Sequence, residues 1–116
     1  MLPGPAPDLI TLDLAFISVR VVMPAVAALA ARPADLVVLF KPQFELGREA
    51  VARGGVVRDV ELGRRGAVEF LQWMAATFGA ASRGEPVPAP VRGAKGNQEW
   101  LVHAVLPAGA AGEGSA

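Results

Sequence analysis

The strongest constraint on this chain is an apolar run that stops on a lysine. LVVLF at 36–40 is followed directly by Lys41 and Pro42. A short continuous apolar run of this kind reads as a strand covered on both faces, as in a parallel sheet. We take the strand as residues 35–40. Pro42 removes one backbone freedom and fixes the direction in which Lys41 leaves the strand. In open α/β sheets ligands bind beyond the carboxyl ends of the strands, so Lys41 stands where chemistry is expected.

The flanking chain supplies the other layers. LITL at 9–12, closed by Asp13, reads as a buried strand over about residues 8–13. Ser18 is placed to cap a helix through Val21, Val22, Val26 and Leu29 to about residue 31. Pro24 should break its first turns, so that the helix settles only after it. A loop rich in Gly and Arg runs to Asp59. Apolar residues at 62, 67, 68, 70, 71, 74, 75 and 78 then suit an amphipathic helix stopped by Gly79. Pro86 to Pro90 fits only a short edge strand or an extended segment. Residues 98–106 read as the last strand, and 107–116 as a disordered tail. This order of elements is α/β, with roughly four strands against a usual five to six. The first strand has the composition of a central strand and nothing upstream to cover it. Residues 1–106 therefore read as the second half of a doubly wound domain.

Composition narrows the function classes. With 116 residues the chain is one small domain, and at 53% hydrophobic and 19% charged it can bury a core. Eleven basic and eleven acidic residues cancel, so no bulk positive field points to a nucleic acid. The absence of cysteine excludes disulfides and thiolate metal sites and fits a reducing cytoplasm. MLPGPAPD lacks the basic and apolar regions of a signal peptide. The longest apolar stretch, 21–31, is eleven residues and contains a proline, whereas a membrane span needs about 20. A soluble cytoplasmic protein with no membrane partner and no metal is expected.

Asp13 and Lys41 each follow a strand, and parallel strands would put them on one edge of the sheet. Glu99 begins the last strand. If that strand is antiparallel, Glu99 joins the same edge. A lysine held by carboxylates could orient or deprotonate a substrate hydroxyl.

LDLAFIS (12–18), KPQFELGRE (41–49), GGVVRD (54–59) and RGAKGNQE (92–99) occur in this order. Together they resemble the TlyA, or hemolysin-A-like, family of ribosomal RNA 2′-O-methyltransferases, which have an FtsJ-like catalytic domain. The resemblance covers about residues 8–106. It implies a Rossmann-like domain, its sheet mostly parallel with an antiparallel last strand, and S-adenosyl-L-methionine (SAM) as cofactor. The implied substrate is ribosomal RNA or a ribosomal subunit. Of the family's Lys-Asp-Lys-Glu tetrad, the Asp maps to Asp13, the second Lys to Lys41 and the Glu to Glu99, with Asp13 also beside the cofactor. The first tetrad lysine, the Gly-rich cofactor loop and the S4-type RNA-binding domain have no counterpart here. RGGVV at 53–57 follows the second strand and is no dinucleotide fingerprint. The expectation is a truncated methyltransferase, inactive alone. The alternative is a non-catalytic remnant that binds other chains, itself included, through an exposed sheet edge.

Plainer readings stand beside these. Asp13 could cap a turn, Lys41 could be solvated, and Glu99 could be a strand-start charge. Arg48 and Arg58 are open between RNA phosphates and a solvated loop. Arg53 favours the solvated loop. Arg92 and Lys95 are equally RNA-facing candidates and surface charges. His103 reads as a packed strand residue, and Trp73 and Trp100 as core.

Overall fold

The structure is a computed structural model that describes residues 5–47, 50–51 and 54–108. Arg48, Arg53 and most of the expected tail lie outside the described residues. In chain order the elements are β1 (Leu9–Leu12), α1 (Val19–Leu29), β2 (Ala34–Phe40), α2 (Pro42–Glu45), α3 (Val60–Phe78), β3 (Ala81–Ser82), β4 (Val87–Pro88) and β5 (Trp100–Leu106).

The strands form a mixed five-stranded sheet, one more than expected, in the order β1-β2-β5-β3, with β4 also on β5. β1 lies parallel to β2, in register from Leu9↔Asp35 to Leu12↔Val38. β5 runs antiparallel to β2, β3 and β4. Four strands thus share one direction and the last opposes them, as expected. Because β5 sits among them, most ladders are nevertheless antiparallel. β3 escaped notice because Ala81 and Ser82 carry no strand pattern. β4 is the short edge strand expected around Pro86 to Pro90, where a proline's missing donor is tolerated.

Local chemistry sets the helix ends. Ser18 caps α1 by accepting from the Arg20 N–H. Pro24 lies inside this helix, which begins before it rather than after. The helix gives up the one hydrogen bond that Pro24 cannot donate, and its buried Met23 and Ala27 pack on the two sides of that point. Asp59 caps α3 through the Leu62 N–H, and Gly79 ends it in the left-handed region at φ 70°. The expected loop after Lys41 opens instead with α2, for which Pro42 supplies a first-turn residue without a needed donor.

One face of the sheet makes the core. Leu36, Val38 and Phe40 of β2 and Trp100, Val102, Ala104 and Leu106 of β5 are buried there. Met23 of α1 and Phe70 and Met74 of α3 cover them. On the other face Val37 and Leu39 are half-buried and Leu101 is exposed. β2 is therefore covered by helices on one face, not two. Its apolar run hid a burial alternation because both sets of residues are apolar. β1 is half-exposed rather than buried, pairs with β2 alone among the described residues, and leaves Leu9 61% exposed.

Two glycines let α3 approach the end of β2. A Cβ at Gly63 would fall 2.9 Å from Pro42 Cγ, and one at Gly66 would fall 2.7 Å from Leu46 Cδ2. Residues just past Lys41 are thereby pinned against the helix.

Candidate active site

The expected edge exists. β1 and β2 end side by side, Leu12 opposite Val38. Lys41 Nζ lies 2.6 Å from Asp13 Oδ1, an ion pair between the residues that follow the two strands. β5 begins at the same edge, with Trp100 opposite Phe40. Glu99, just before it, is buried, at 6% exposure.

Glu99 does not pair with Lys41. Its Oε2 accepts from Gln43 Nε2 at 2.8 Å. That bond fixes the amide's orientation, since turning it would set two oxygens against each other. Gln43 Oε1 is then buried with no hydrogen-bond partner among the described residues, an acceptor available to a hydroxyl or amine. Room for the Glu99 carboxylate comes from Gly93, where a Cβ would collide with it.

Beside this cluster stands an aromatic that sequence reasoning passed over. Phe16 is 88% exposed and sits at φ 67°, left-handed for a non-glycine residue. Its ring rests on that of Phe44, centroids 5.1 Å apart. Within LDLAFIS it reads as one more core residue. Nothing in the spacing marks it as exposed.

A second cluster joins two loops. Asn97, 1% exposed, accepts from the Val57 N–H at 2.8 Å and donates Nδ2 to the Gly55 carbonyl at 2.9 Å. It holds the 54–57 segment against the turn at Ala94–Gly96. Lys95, in that turn, is exposed at φ 59°. Arg92 is exposed and donates to the Gly96 carbonyl, and Arg58, directly after Val57, is exposed.

Other residues settle away from this edge. His103, a packed strand residue as expected, is half-buried on the open face, and its Nε2 is 2.7 Å from Asp35 Oδ1. Trp100 is buried in the core and Trp73 packs against it. Among the described residues no group of three acids or histidines could hold a metal, and no helix is long and apolar enough to cross a membrane.

For a SAM-sized cofactor the residues present fit one side. The Asp13 carboxylate stands exposed at the edge, but residues 5–12 contain no glycine-rich turn to cradle it.

The 16S/23S rRNA (cytidine-2′-O)-methyltransferase TlyA of Mycobacterium tuberculosis is 41% identical over 95 residues, 82% of this chain and 35% of that protein. Hemolysin A of Brachyspira hyodysenteriae is 32% identical over 103 residues, 86% of this chain and 41% of its own length. This chain therefore spans well under half of these relatives. The crystal structure of a presumed hemolysin from Lactococcus lactis superposes with a TM-score of 0.79 at 30% identity, over 90% of this chain and 49% of that one. The description of the FtsJ-like methyltransferase family matches residues 1–105, and this chain belongs to that family.

Proposed function

We propose that this chain carries the acceptor side of a SAM-dependent ribosomal RNA ribose 2′-O-methyltransferase site. The observation that supports it best is the Lys41–Asp13 pair at the ends of two parallel strands, with Glu99 at the start of the strand beside them. SAM, when bound, supplies an electrophilic methyl group, and Asp13 is the residue that would lie against it.

The chain's own residues handle the nucleophile. Lys41 orients the ribose 2′-hydroxyl, or takes its proton after passing one of its own to the Asp13 carboxylate, which holds the amine in place. Glu99, through Gln43, fixes the polar wall beside it. Alignment of the hydroxyl carries much of the rate for such a transfer. Phe16 offers an exposed ring for a base, since RNA is read largely by stacking unpaired bases on aromatics. Arg58, Arg92 and Lys95 are the described cations for phosphates, and Arg48 is a further candidate from the sequence. The setting is the cytoplasm, where ribosomal subunits are.

The described residues supply no cradle for the cofactor, so the chain alone is expected to bind SAM weakly and to transfer methyl groups slowly, at a rate to be read at saturating SAM. Calorimetric titration of SAM, followed by methyl transfer to ribosomal RNA with Lys41→Ala as control, tests the reading. Transfer that survives Lys41→Ala would overturn it.

A second reading rests on β1. It pairs only with β2 among the described residues, and an open strand edge invites another chain. An interaction module of this kind predicts self-association, and a purely monomeric elution at high concentration removes it.

A further inference from the structure

The loop between β1 and α1 meets α2 at three successive points. At its start, Asp13 pairs with Lys41, the residue before α2. In its middle, the Phe16 ring lies on Phe44, tilted by 53°. At its end, Ser18 Oγ donates to Glu45 Oε1 at 2.6 Å, and the Val19 N–H donates to Glu45 Oε2 at 2.8 Å.

The third contact is not needed for an ordinary cap. Ser18 already accepts from the Arg20 N–H. Glu45 adds a second, charged cap from 27 residues away in sequence. A carboxylate is favoured there because the helix N-terminus is its positive end. Meanwhile Phe16 holds a left-handed backbone that a side chain disfavours, so its surroundings must impose it. The loop side chains that the proposed reaction uses, Asp13 and Phe16, are mostly exposed and gain little support from the core.

We propose that Glu45 is a positioning residue. It anchors the far end of the 13–18 loop to α2, and so holds Asp13 against Lys41 and the Phe16 ring over Phe44. This rests on reading the Lys41 edge as a methyl-transfer site. α2 begins directly after Lys41, so one rigid turn carries all three anchors and sets their mutual spacing.

The test compares the full chain with Glu45→Gln by NMR. Glu45→Gln keeps the length of the side chain but drops its charge and one acceptor. The Val19 amide should exchange about fivefold to tenfold faster, the size of a lost cap. Residues 13–17 should exchange faster too, and the cross-peak between the Phe16 and Phe44 rings should weaken, while α3 is unchanged. If only Val19 responds, or nothing does, Glu45 is a cap and no more, and the proposal is overturned. Should Glu45→Gln fail to fold, Glu45→Asp keeps the charge but draws it back by one methylene, and should give the same pattern, smaller. With cofactor and ribosomal RNA, Glu45→Gln should lower kcat about tenfold and leave the KM for the methyl donor unchanged. An inactive wild type would sink the functional reading, yet the exchange data would still decide whether Glu45 anchors the loop.

Discussion

Lys41 and Asp13 face each other at 2.6 Å with unequal burial: the lysine side chain is 15% exposed and the aspartate side chain 68%. The cation is the enclosed partner. Lys41→Ala should reduce methyl transfer by about 10²–10⁴-fold, the usual worth of a positioned acid–base group. Asp13→Asn keeps the shape and loses the charge, and should cost less rate than Lys41→Ala. Because Asp13 is largely solvated, stability should move by under about 1 kcal/mol in either variant. Transfer assays and thermal melts on the same preparations check both statements.

Glu99 occupies space that exists only because residue 93 is glycine. Gly93→Ala should therefore displace the carboxylate and break its bond to Gln43. We expect a loss of about 1–3 kcal/mol, the range for overpacking. Shortening Glu99 removes the obstacle, so Gly93→Ala should cost almost nothing in a Glu99→Ala background. A double-mutant cycle by denaturant unfolding reads this coupling directly. Additive losses would mean that the cost of Gly93→Ala arises elsewhere than at the carboxylate.

Phe16 should matter to binding and hardly at all to folding. It is 88% exposed, and its ring contact is to Phe44 alone among the described aromatic pairs. Phe16→Gly removes the ring and also relieves the left-handed backbone at φ 67°, so its stability should equal or exceed that of Phe16→Ala. Both variants should weaken RNA binding by about 1–3 kcal/mol, the measured range for one stacked base. Unchanged RNA affinity in both would remove Phe16 from the site.

Which parts of this were legible in the sequence follows from what each residue's neighbours reveal. Asp13 and Lys41 each end an apolar run, so strand ends and parallel pairing alone bring them together. Glu99 needed one further fact, the direction of β5, which its own residues do not encode. Gln43, Glu45 and Asn97 were invisible. They are single polar residues in irregular segments, and their partners, Glu99, Ser18 and Val57, lie 56, 27 and 40 residues away. Phe16 was hidden for the opposite reason, since an apolar residue in an apolar motif is assumed to be inside. The one-sided burial of β2 was masked likewise, because Val37 and Leu39 on the open face are as apolar as Leu36 and Val38 on the covered one.

Asn97 gives the clearest separation between holding a loop and doing chemistry. Its side chain is almost fully enclosed and bonds the backbone of Val57 and Gly55. Asn97→Ala leaves a buried amide and a carbonyl without that partner, a loss of about 1–3 kcal/mol for each stranded group before relaxation. Asn97→Asp can still accept from the Val57 N–H but cannot donate to Gly55, and it also buries a charge. It should therefore be no milder than Asn97→Ala. Neither change touches Lys41 or Asp13, so at temperatures well below melting the methyl-transfer rate with saturating RNA should stay within about twofold, while RNA affinity falls as the 54–57 segment and the Lys95 turn come apart. A melt, a binding titration and a saturated rate measured on each variant would resolve the three effects. A large drop in the saturated rate would mean that the 54–57 segment reaches the reacting groups.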